Sequence, residues 1–393
     1  MSEKVSLRVL VLCPQPYFVW RGSPLRVSFD VRALAELGHQ VDLLTMPVGE
    51  EHPQEGVRHF RAPNFIRAKK LAIGPSAAKA LLDGAILWKG WALARKNGYD
   101  VFHGIEDAGP IAALLAKRFK GKMVFEKHSD AASYKKGLVR NAVLGAYRAA
   151  ERFSIRSADA VIGTGEALAE QARAVAPGKA VYAIHDIPSS LAEAGAGEVA
   201  AARAELGLPE GAVLALYVGS FAVYQGIDLL FEAAGRALAE EGRLHLAVVG
   251  GTEAEIAARR AELAARGAGV AERVHFLGFR HPDALPAVLG AADLLLSPRK
   301  QGENTPLKLL DYAKAGNGAI VACDIPANRR ILGEGRGALT EPTAEGFAGA
   351  MVALARDGAK RRALAAAAHG LYLETYNYGH FKQLLGEVYA GLG

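Results

Sequence analysis

Glu303 and Asp311 stand eight residues apart in the segment Ser297–Gly316, which follows an apolar run and reads as a loop entering a helix. If both were helical, that spacing would be just over two turns, so one acid can sit at the loop while the other faces the same side from the helix. A carboxylate that accepts two hydrogen bonds suits vicinal hydroxyls, whether on a ribose or on a hexose. A helix start here also points backbone N–H groups and the positive end of the helix dipole at one place, where a diphosphate would bind. The competing reading makes Glu303 an ordinary first-turn charge and Asp311 an exposed or capping acid.

Other chemistries leave no mark in the sequence. Gly-x-Gly-x-x-Gly and the Gly-Lys-Ser/Thr end of a P-loop are missing, which lowers hydride transfer and ATP hydrolysis. His-Glu-x-x-His and Gly-x-Ser-x-Gly are missing too, and with them the commonest zinc-protease and hydrolase signals. No Asp-x-Asp or histidine cluster argues for a bound metal. The two cysteines, Cys13 and Cys323, are too few for a disulfide framework or a cysteine zinc site, and each lies in an apolar run. They are expected as buried thiols in a reducing cytosol.

The elements that must position these residues alternate strand and helix. In the first half the apolar runs are Arg8–Cys13, Gln40–Leu44, Asp100–His103, Lys122–Lys127 and Ala160–Gly163, with a helix expected over Phe29–Leu37. An Ala/Gly/Glu-rich stretch, Ala192–Gly211, separates them from a second series. That series is Val213–Val218, Leu244–Val249, Val274–Phe276, Asp293–Leu296 and Gly318–Cys323, with helical patterns at Ile227–Glu240 and Glu253–Arg266. The expected fold is α/β, two Rossmann-like doubly wound domains over 1–189 and 190–371, with a ligand at the carboxyl ends of the strands in the cleft between them. The tail from 372 to 393 is expected to pack back on the first domain. At 393 residues and 51% hydrophobic, the chain is long enough and apolar enough for a core in each.

Charge is uneven. Residues 1–190 hold 27 Lys and Arg against 18 Asp and Glu, and the remainder holds 20 against 23. The basic residues gather at Arg67, Lys69, Lys70, Lys79, Lys89, Arg95 and Lys96, then from Lys117 to Arg140, interleaved with Phe65, Ile66, Leu71, Trp88, Trp91 and Leu138. Such a mixture can seat a domain on an anionic membrane at about 1 kcal/mol per well-placed basic residue. Ordinary solvated helix faces explain it equally simply. No nucleic-acid motif accompanies the charge. The longest candidate span, near Ala77–Ala94, is broken by Lys79, Asp83 and Lys89, and the N-terminus lacks a signal-peptide pattern, so no membrane segment is expected.

Taken together, four features resemble family 4 of the retaining glycosyltransferases, which have the GT-B fold. They are the acid-x7-acid segment, the downstream Gly318–Pro326 run, the helix ending Leu37-Gly38-His39 before a strand, and Tyr217–Phe221 followed by Gln225-Gly226. The order of these motifs runs from about Leu7 to Arg356. The resemblance implies a nucleotide-sugar donor on the C-terminal domain, UDP-linked in preference to GDP or ADP, and an acceptor on the N-terminal one. No cofactor and no metal are implied. Glu303 matches the acid that contacts the donor sugar's hydroxyls. Asp311 matches the ribose-binding acid, with Asp where Glu is usual. Asn304 and Thr305 would offer donors to the sugar or diphosphate, and Gly219 is implied on the donor-binding side. His128, after Met123–Lys127 and before Ser129 and Asp130, matches the N-domain histidine beside the donor sugar. Gly22, expected in a loop over Trp20–Pro24, matches the glycine region approaching the diphosphate and acceptor, with Arg21 on the acceptor side.

One departure bears on the leaving group. Most members carry Arg right after the glycine of the C-domain's first strand and Lys five residues later, and this sequence has Ser220 and Gln225. Losing two cations from a leaving-group site should cost several kcal/mol of transition-state stabilisation unless others replace them. Arg299, Lys300 and Lys308 are the expected replacements, with Arg21 from the other side. The Asn-Thr-Pro-x-Lys variation with Asp311-Tyr312 reads as a subgroup. The implied reaction is glycosyl transfer with retention to a hydroxyl of a glycan or lipid-linked acceptor, in the cytoplasm or on the inner membrane face. A nucleotide-sugar 2-epimerase, a phosphorylase, a non-catalytic sugar-nucleotide or partner-binding protein, and a polyanion-binding protein are the rivals.

Overall fold

The structure, a computed structural model, describes residues 6–20, 22–69, 77–130, 138–302, 306–333 and 335–393. Arg21, Glu303, Asn304 and Thr305 lie outside the described residues. The chain divides into two units, Met1–Asp186 with Tyr378–Gly393, and Ile187–Asn377.

The first unit runs β1 (Arg8–Cys13), α1 (Gly22–Glu36), β2 (Gln40–Thr45), β3 (Val57–Arg61), α2 (Ala77–Asn97), β4 (Val101–Ile105), α3 (Gly109–Phe119), β5 (Lys122–Lys127), α4 (Leu138–Ser157), β6 (Ala160–Gly163), α5 (Glu166–Val175) and β7 (Ala180–Ala183). Its strands form one parallel sheet in the order β3-β2-β1-β4-β5-β6-β7. Parallel strands are covered on both faces, so the central ones are near-continuous apolar runs; β4 is buried throughout and β5 at every residue after Lys122. Leu10, Leu12, Phe102 and Phe125 pack with Leu82 and Ile86 of α2 and Ile111 and Leu115 of α3. Alternation along β4 and β5 therefore turns His103 and Glu126 to the opposite face.

α1 begins at Gly22, seven residues ahead of the expected start at Phe29. Gly22 therefore opens a helix, with φ of +22°, where a loop was expected. Pro24 falls in the first turn, where a missing N–H costs no helical bond. Arg26, Ser28 and Asp30 break the apolar period in sequence, yet all three are buried in the structure.

The second unit runs α6 (Ala196–Glu205), β8 (Val213–Val218), α7 (Ile227–Glu240), β9 (Leu244–Val249), α8 (Glu253–Ala264), α9 (Ala268–Ala271), β10 (Val274–Gly278), α10 (Leu285–Gly290), β11 (Leu294–Ser297), α11 (Leu307–Ala315), β12 (Ala319–Cys323), α12 (Pro326–Leu332), β13 (Ala338–Thr340), α13 (Ala344–Arg356) and α14 (Gly358–Leu371). This sheet is also parallel, in the order β10-β9-β8-β11-β12-β13. Both sheets reverse their strand order once, between β1 and β4 and between β8 and β11. Beyond the carboxyl ends of those pairs lies the place where open parallel sheets bind ligands.

The tail does not leave the second unit at 372. Residues Tyr372–Tyr376 continue α14 as a π-helical turn, and Tyr376 is buried in the second unit's core. The return begins at Tyr378 with α15 (Tyr378–Ala390), whose Phe381, Leu385, Val388 and Tyr389 are buried in the first unit. Both cysteines are free and buried, and burial pushes each thiol up to about 12. No helix among the described residues is long and apolar enough to cross a membrane.

Candidate functional site

In the second unit the residues expected to hold a donor gather at the β8/β11 reversal. β8 ends at Val218, and Gly219 turns the chain beside Gly250, where a Cβ would come within 2.0 Å of the Gly219 carbonyl oxygen. Gly226, at φ +76° before α7, is equally constrained, since a Cβ there would meet the Pro298 carbonyl at 2.0 Å. Close backbone packing therefore fixes the loop after β11 against the N-terminus of α7. Tyr217 donates through its hydroxyl to the Ser220 carbonyl at 2.8 Å, and Tyr312 of α11 donates to the Leu296 carbonyl at 3.1 Å.

Lys308 enters this turn from the second residue of α11. Its ammonium lies 4.5 Å from the centroid of the Tyr217 ring and would be 3.0 Å from a Cβ on Gly219. The residue keeps some exposed surface, but Nζ itself is enclosed and has no hydrogen-bond partner among the described residues. Burial, reinforced by the Arg299 charge, pulls its pKa down to about 7. The other two expected replacements are placed differently. Arg299 is half-buried and donates through Nε to the Gln301 carbonyl at 2.8 Å, while Lys300 is exposed. Ser220 is exposed and Gln225 half-buried, at the end of a 3-10 turn.

Asp311 lies one turn further along α11. Ser189 donates to it twice, from its backbone N–H at 2.6 Å and its hydroxyl at 2.8 Å. Lys314 holds the neighbouring backbone by donating to the carbonyls of Ser190 and Ala192 at 2.8 and 2.6 Å. Burial raises the Asp311 carboxyl to about 6, partly offset by the Ser189 hydrogen bonds. Each carboxylate oxygen retains a further lone pair for a ligand hydroxyl. Ser189 escaped sequence reading, because a serine 122 residues away carries no pattern.

In the first unit His128 directly follows β5, at the β1/β4/β5 end of the sheet. Its backbone N–H and that of Ser129 both donate to Glu106, which also accepts from the Ser129 hydroxyl at 3.0 Å. The ring is held on two sides, with Nδ1 2.5 Å from the Ser23 hydroxyl and Nε2 3.0 Å from Glu126 Oε1. Glu126 is 0% exposed, and Arg26 donates to the same oxygen at 3.0 Å. His103 Nε2 lies 3.0 Å from Glu126 Oε2, and His103 Nδ1 lies 2.9 Å from the Tyr389 hydroxyl of α15. Arg26 also donates to the carbonyls of Ile184 and His185 and reaches Asp186 at 3.4 Å.

Burial alone would raise the Glu126 carboxyl, but the charges of Arg26 and His128 and the histidine hydrogen bonds outweigh it and hold it well below the usual range. For His128 the sign inverts: burial would lower it, and the Glu126 charge raises it instead. Asp30 is pushed well above the carboxylate range by burial and by Glu126. Asp30, Glu126 and His128 place one donor atom each within 4.8 Å of one another, close enough to surround a cation. Arg26, 3.0 Å from Glu126 and 3.5 Å from Asp30, already supplies the positive charge, so the donor set is that of an ion-pair cluster. The sequence carried one overlooked signal for it, a glutamate inside the apolar run Met123–Lys127, since a charge in a buried strand must be paired.

Two parallel Rossmann-like sheets of this topology, each reversing its strand order once, are the fold of the GT-B glycosyltransferases that the chain resembles in structure. Residues 22–185 match the glycosyl transferase 4-like domain and residues 212–357 match the glycosyl transferases group 1. The chain belongs to this glycosyltransferase family. It is 30% identical over 317 residues to a D-inositol 3-phosphate glycosyltransferase of Geodermatophilus obscurus, covering 74% of this chain and 68% of that one. A protein of the same description from Nocardia farcinica is 29% identical over 390 residues, covering 91% and 82%. Among solved structures, sucrose-phosphate synthase from Thermosynechococcus elongatus superposes with a TM-score of 0.74 at 21% identity, covering 98% and 99%. HepE from Anabaena, solved in complex with UDP and glucose, gives 0.72 at 16% identity over 98% and 99%. The family membership makes the protein a glycosyltransferase, and the epimerase, phosphorylase and non-catalytic readings give way to it.

Proposed function

We propose that the protein transfers a glycosyl unit, with retention, from a nucleotide sugar held by the second unit to a hydroxyl acceptor held by the first. The observation that carries this is the pairing of an enclosed ammonium, Lys308, with a half-buried carboxylate, Asp311, on one helix at the end of the parallel sheet. A cation beside a glycine turn suits a diphosphate, and the carboxylate one turn on suits a ribose. Glu303, Asn304 and Thr305 belong to the donor sugar in this reading, as does His128 from the first unit. UDP is preferred as the nucleotide, in keeping with the UDP-bound HepE structure. Asn-Thr-Pro-x-Lys then marks a subgroup whose phosphate cation has moved from the two positions now Ser220 and Gln225 to Lys308.

In the transfer the bond from the anomeric carbon to the phosphate oxygen breaks as the bond to the acceptor oxygen forms on the same face. The departing phosphate oxygen takes the acceptor's proton, so no protein base is required. The chain's contribution is positioning and stabilisation of charge on the leaving diphosphate. Neither a cofactor nor a metal is part of this reading.

The acceptor is a glycan or lipid-linked hydroxyl, reached in the cytoplasm at the inner membrane face. The solvent side of α2 supports a membrane-surface site: Leu81, Trp88 and Trp91 are exposed along one stripe that ends in Arg95 and Lys96. Trp88 is 60% exposed beside Phe65 at 71%, and the Arg118 guanidinium stacks 5.5 Å from Trp91. Exposed tryptophans with adjacent cations suit an anionic lipid interface. Lys70, Leu71, Lys135 and Lys136 of the basic stretch lie outside the described residues.

The test is a thermal shift with UDP, GDP, ADP and their sugar conjugates on wild type and Asp311→Ala. A ligand at about 100 times its Kd adds roughly 2.7 kcal/mol, a shift of a few degrees. One nucleotide class should stabilise the wild type and not the variant. No shift from any of them would remove the donor assignment.

A further inference from the structure

We propose that Glu126 is a positioning residue for the transfer, fixing the His128 ring as its Nε2–H tautomer so that Nδ1 presents a lone pair to a substrate hydroxyl. The inference rests on the reading of His128 as a donor-side residue.

Glu126 is fully enclosed, and its Oε1 receives both Arg26 Nε and His128 Nε2 at 3.0 Å. An ionised carboxylate only accepts, so the neutral ring must carry its proton on Nε2. Nδ1 is then an acceptor, and the hydroxyl at 2.5 Å, that of Ser23, donates to it. Ser23 sits in the first turn of α1, and its oxygen also accepts from Gln15 Nε2 at 2.8 Å. A sugar hydroxyl arriving at Nδ1 would take the place of the Ser23 proton, leaving Ser23 bonded to Gln15. Serine here is a stand-in for the substrate hydroxyl, and Glu126 decides which ring nitrogen meets it.

The anchor is itself anchored. Arg26 is held by the carbonyls of Ile184 and His185, and the second carboxylate oxygen faces His103, whose Nδ1 meets the Tyr389 hydroxyl. Among the described residues, Asp30, Glu106 and Asp186 also face the cluster, and Lys127 acts on Glu106. Because Tyr389 belongs to α15, the C-terminal helix contributes to the orientation of a residue that follows β5.

The experiment uses the full chain with ring-15N histidine, observed at alkaline pH where the ring is neutral, with His128→Asn assigning the signal. Wild type should show His128 as the Nε2–H form. Glu126→Met, which leaves no acceptor, should give a mixed tautomer and lower the rate of sugar-nucleotide hydrolysis about 100-fold in kcat, with KM changed about threefold at most. Glu126→Gln, whose amide oxygen can still face Arg26 and His128, should keep the tautomer and return the rate to within about tenfold of wild type. If the methionine variant does not fold, Tyr389→Phe takes its place and should shift the His128 resonances in a folded protein. An Nδ1–H ring in the wild type, or a methionine variant that folds and keeps both tautomer and kcat, would overturn the proposal. Hydrolysis unaffected in His128→Asn would instead remove the donor-side reading of His128 while leaving the tautomer result standing.

Discussion

Lys308 offers a quantitative test, because an enclosed amine must become charged before it can hold a phosphate. Burial sets its folded pKa at about 7, against about 10.5 when unfolded. A sugar nucleotide whose diphosphate binds only the ammonium form should weaken by a factor of 1 + 10^(pH−7), about 30-fold between roughly pH 6 and pH 8.5. The diphosphate of UDP-glucose has no group titrating in this range, so calorimetric titration with it reads the enzyme's own groups, with the loss above about pH 7 belonging to Lys308 and any loss below it to Asp311. Lys308→Met removes a charge-assisted hydrogen bond worth about 1.5 to 3 kcal/mol, or roughly 10- to 150-fold in Kd at low pH, and should flatten the pH dependence. Stability should move the other way. Between the folded and unfolded pKa values the unfolded chain holds a proton that the folded one lacks, so stability rises with pH across that window. The methionine variant should accordingly be more stable than wild type at neutral pH, by an amount on the order of 2 to 4 kcal/mol, and melt higher. Adding Ser220→Arg and Gln225→Lys to it should restore binding. Flat wild-type binding across the pH range, or undiminished affinity in Lys308→Met, would refute the assignment of the phosphate cation.

Asp311 predicts a second pH dependence, of opposite direction. Its carboxyl is raised to about 6, so the nucleotide-induced melting shift should shrink as pH falls from about 7 to about 5, and Asp311→Asn should abolish that trend. Gly226→Ala places a Cβ 2.0 Å from the Pro298 carbonyl at positive φ and should lower stability by about 2 to 4 kcal/mol, measured by urea unfolding. Replacing Trp88 and Trp91 with serine should release the protein from vesicles rich in anionic lipid in a sedimentation assay, with nucleotide binding intact. Equal sedimentation of both proteins would move the basic, aromatic face back to an ordinary solvated surface.

Central strands were legible because parallel strands buried on both faces are unbroken apolar runs. Arg8–Cys13, Lys122–Lys127, Ala160–Gly163, Val213–Val218 and Leu244–Val249 fall on the residues read from sequence. The strands that went unread, β3, β7 and β13, all lie at sheet edges. β3 is Val-Arg-His-Phe-Arg and nowhere fully buried, so one-sided pairing left no continuous apolar signal. α1 was read short for the reverse reason, since its buried residues include Arg26 and Asp30, charges that make sense only beside Glu126. The same physics divided the site. Lys308 and Asp311 share a helix with a readable motif, whereas Ser189, Glu126, His103 and Tyr389 meet across long stretches of chain that no local pattern connects.

The return of α15 to the first unit sets an order of synthesis. The 191 residues of the second unit are made between β7's side of the chain and the helix that completes the first. At roughly 5 to 20 residues per second, that interval is about 10 to 40 s. Throughout it the sheet face bearing His103 and Glu126, with Arg26 of α1 over it, lacks Phe381 and Tyr389. A nascent chain would meet chaperones in that unfinished state, while the second unit, contiguous from Ile187 to Asn377, is complete as soon as it emerges.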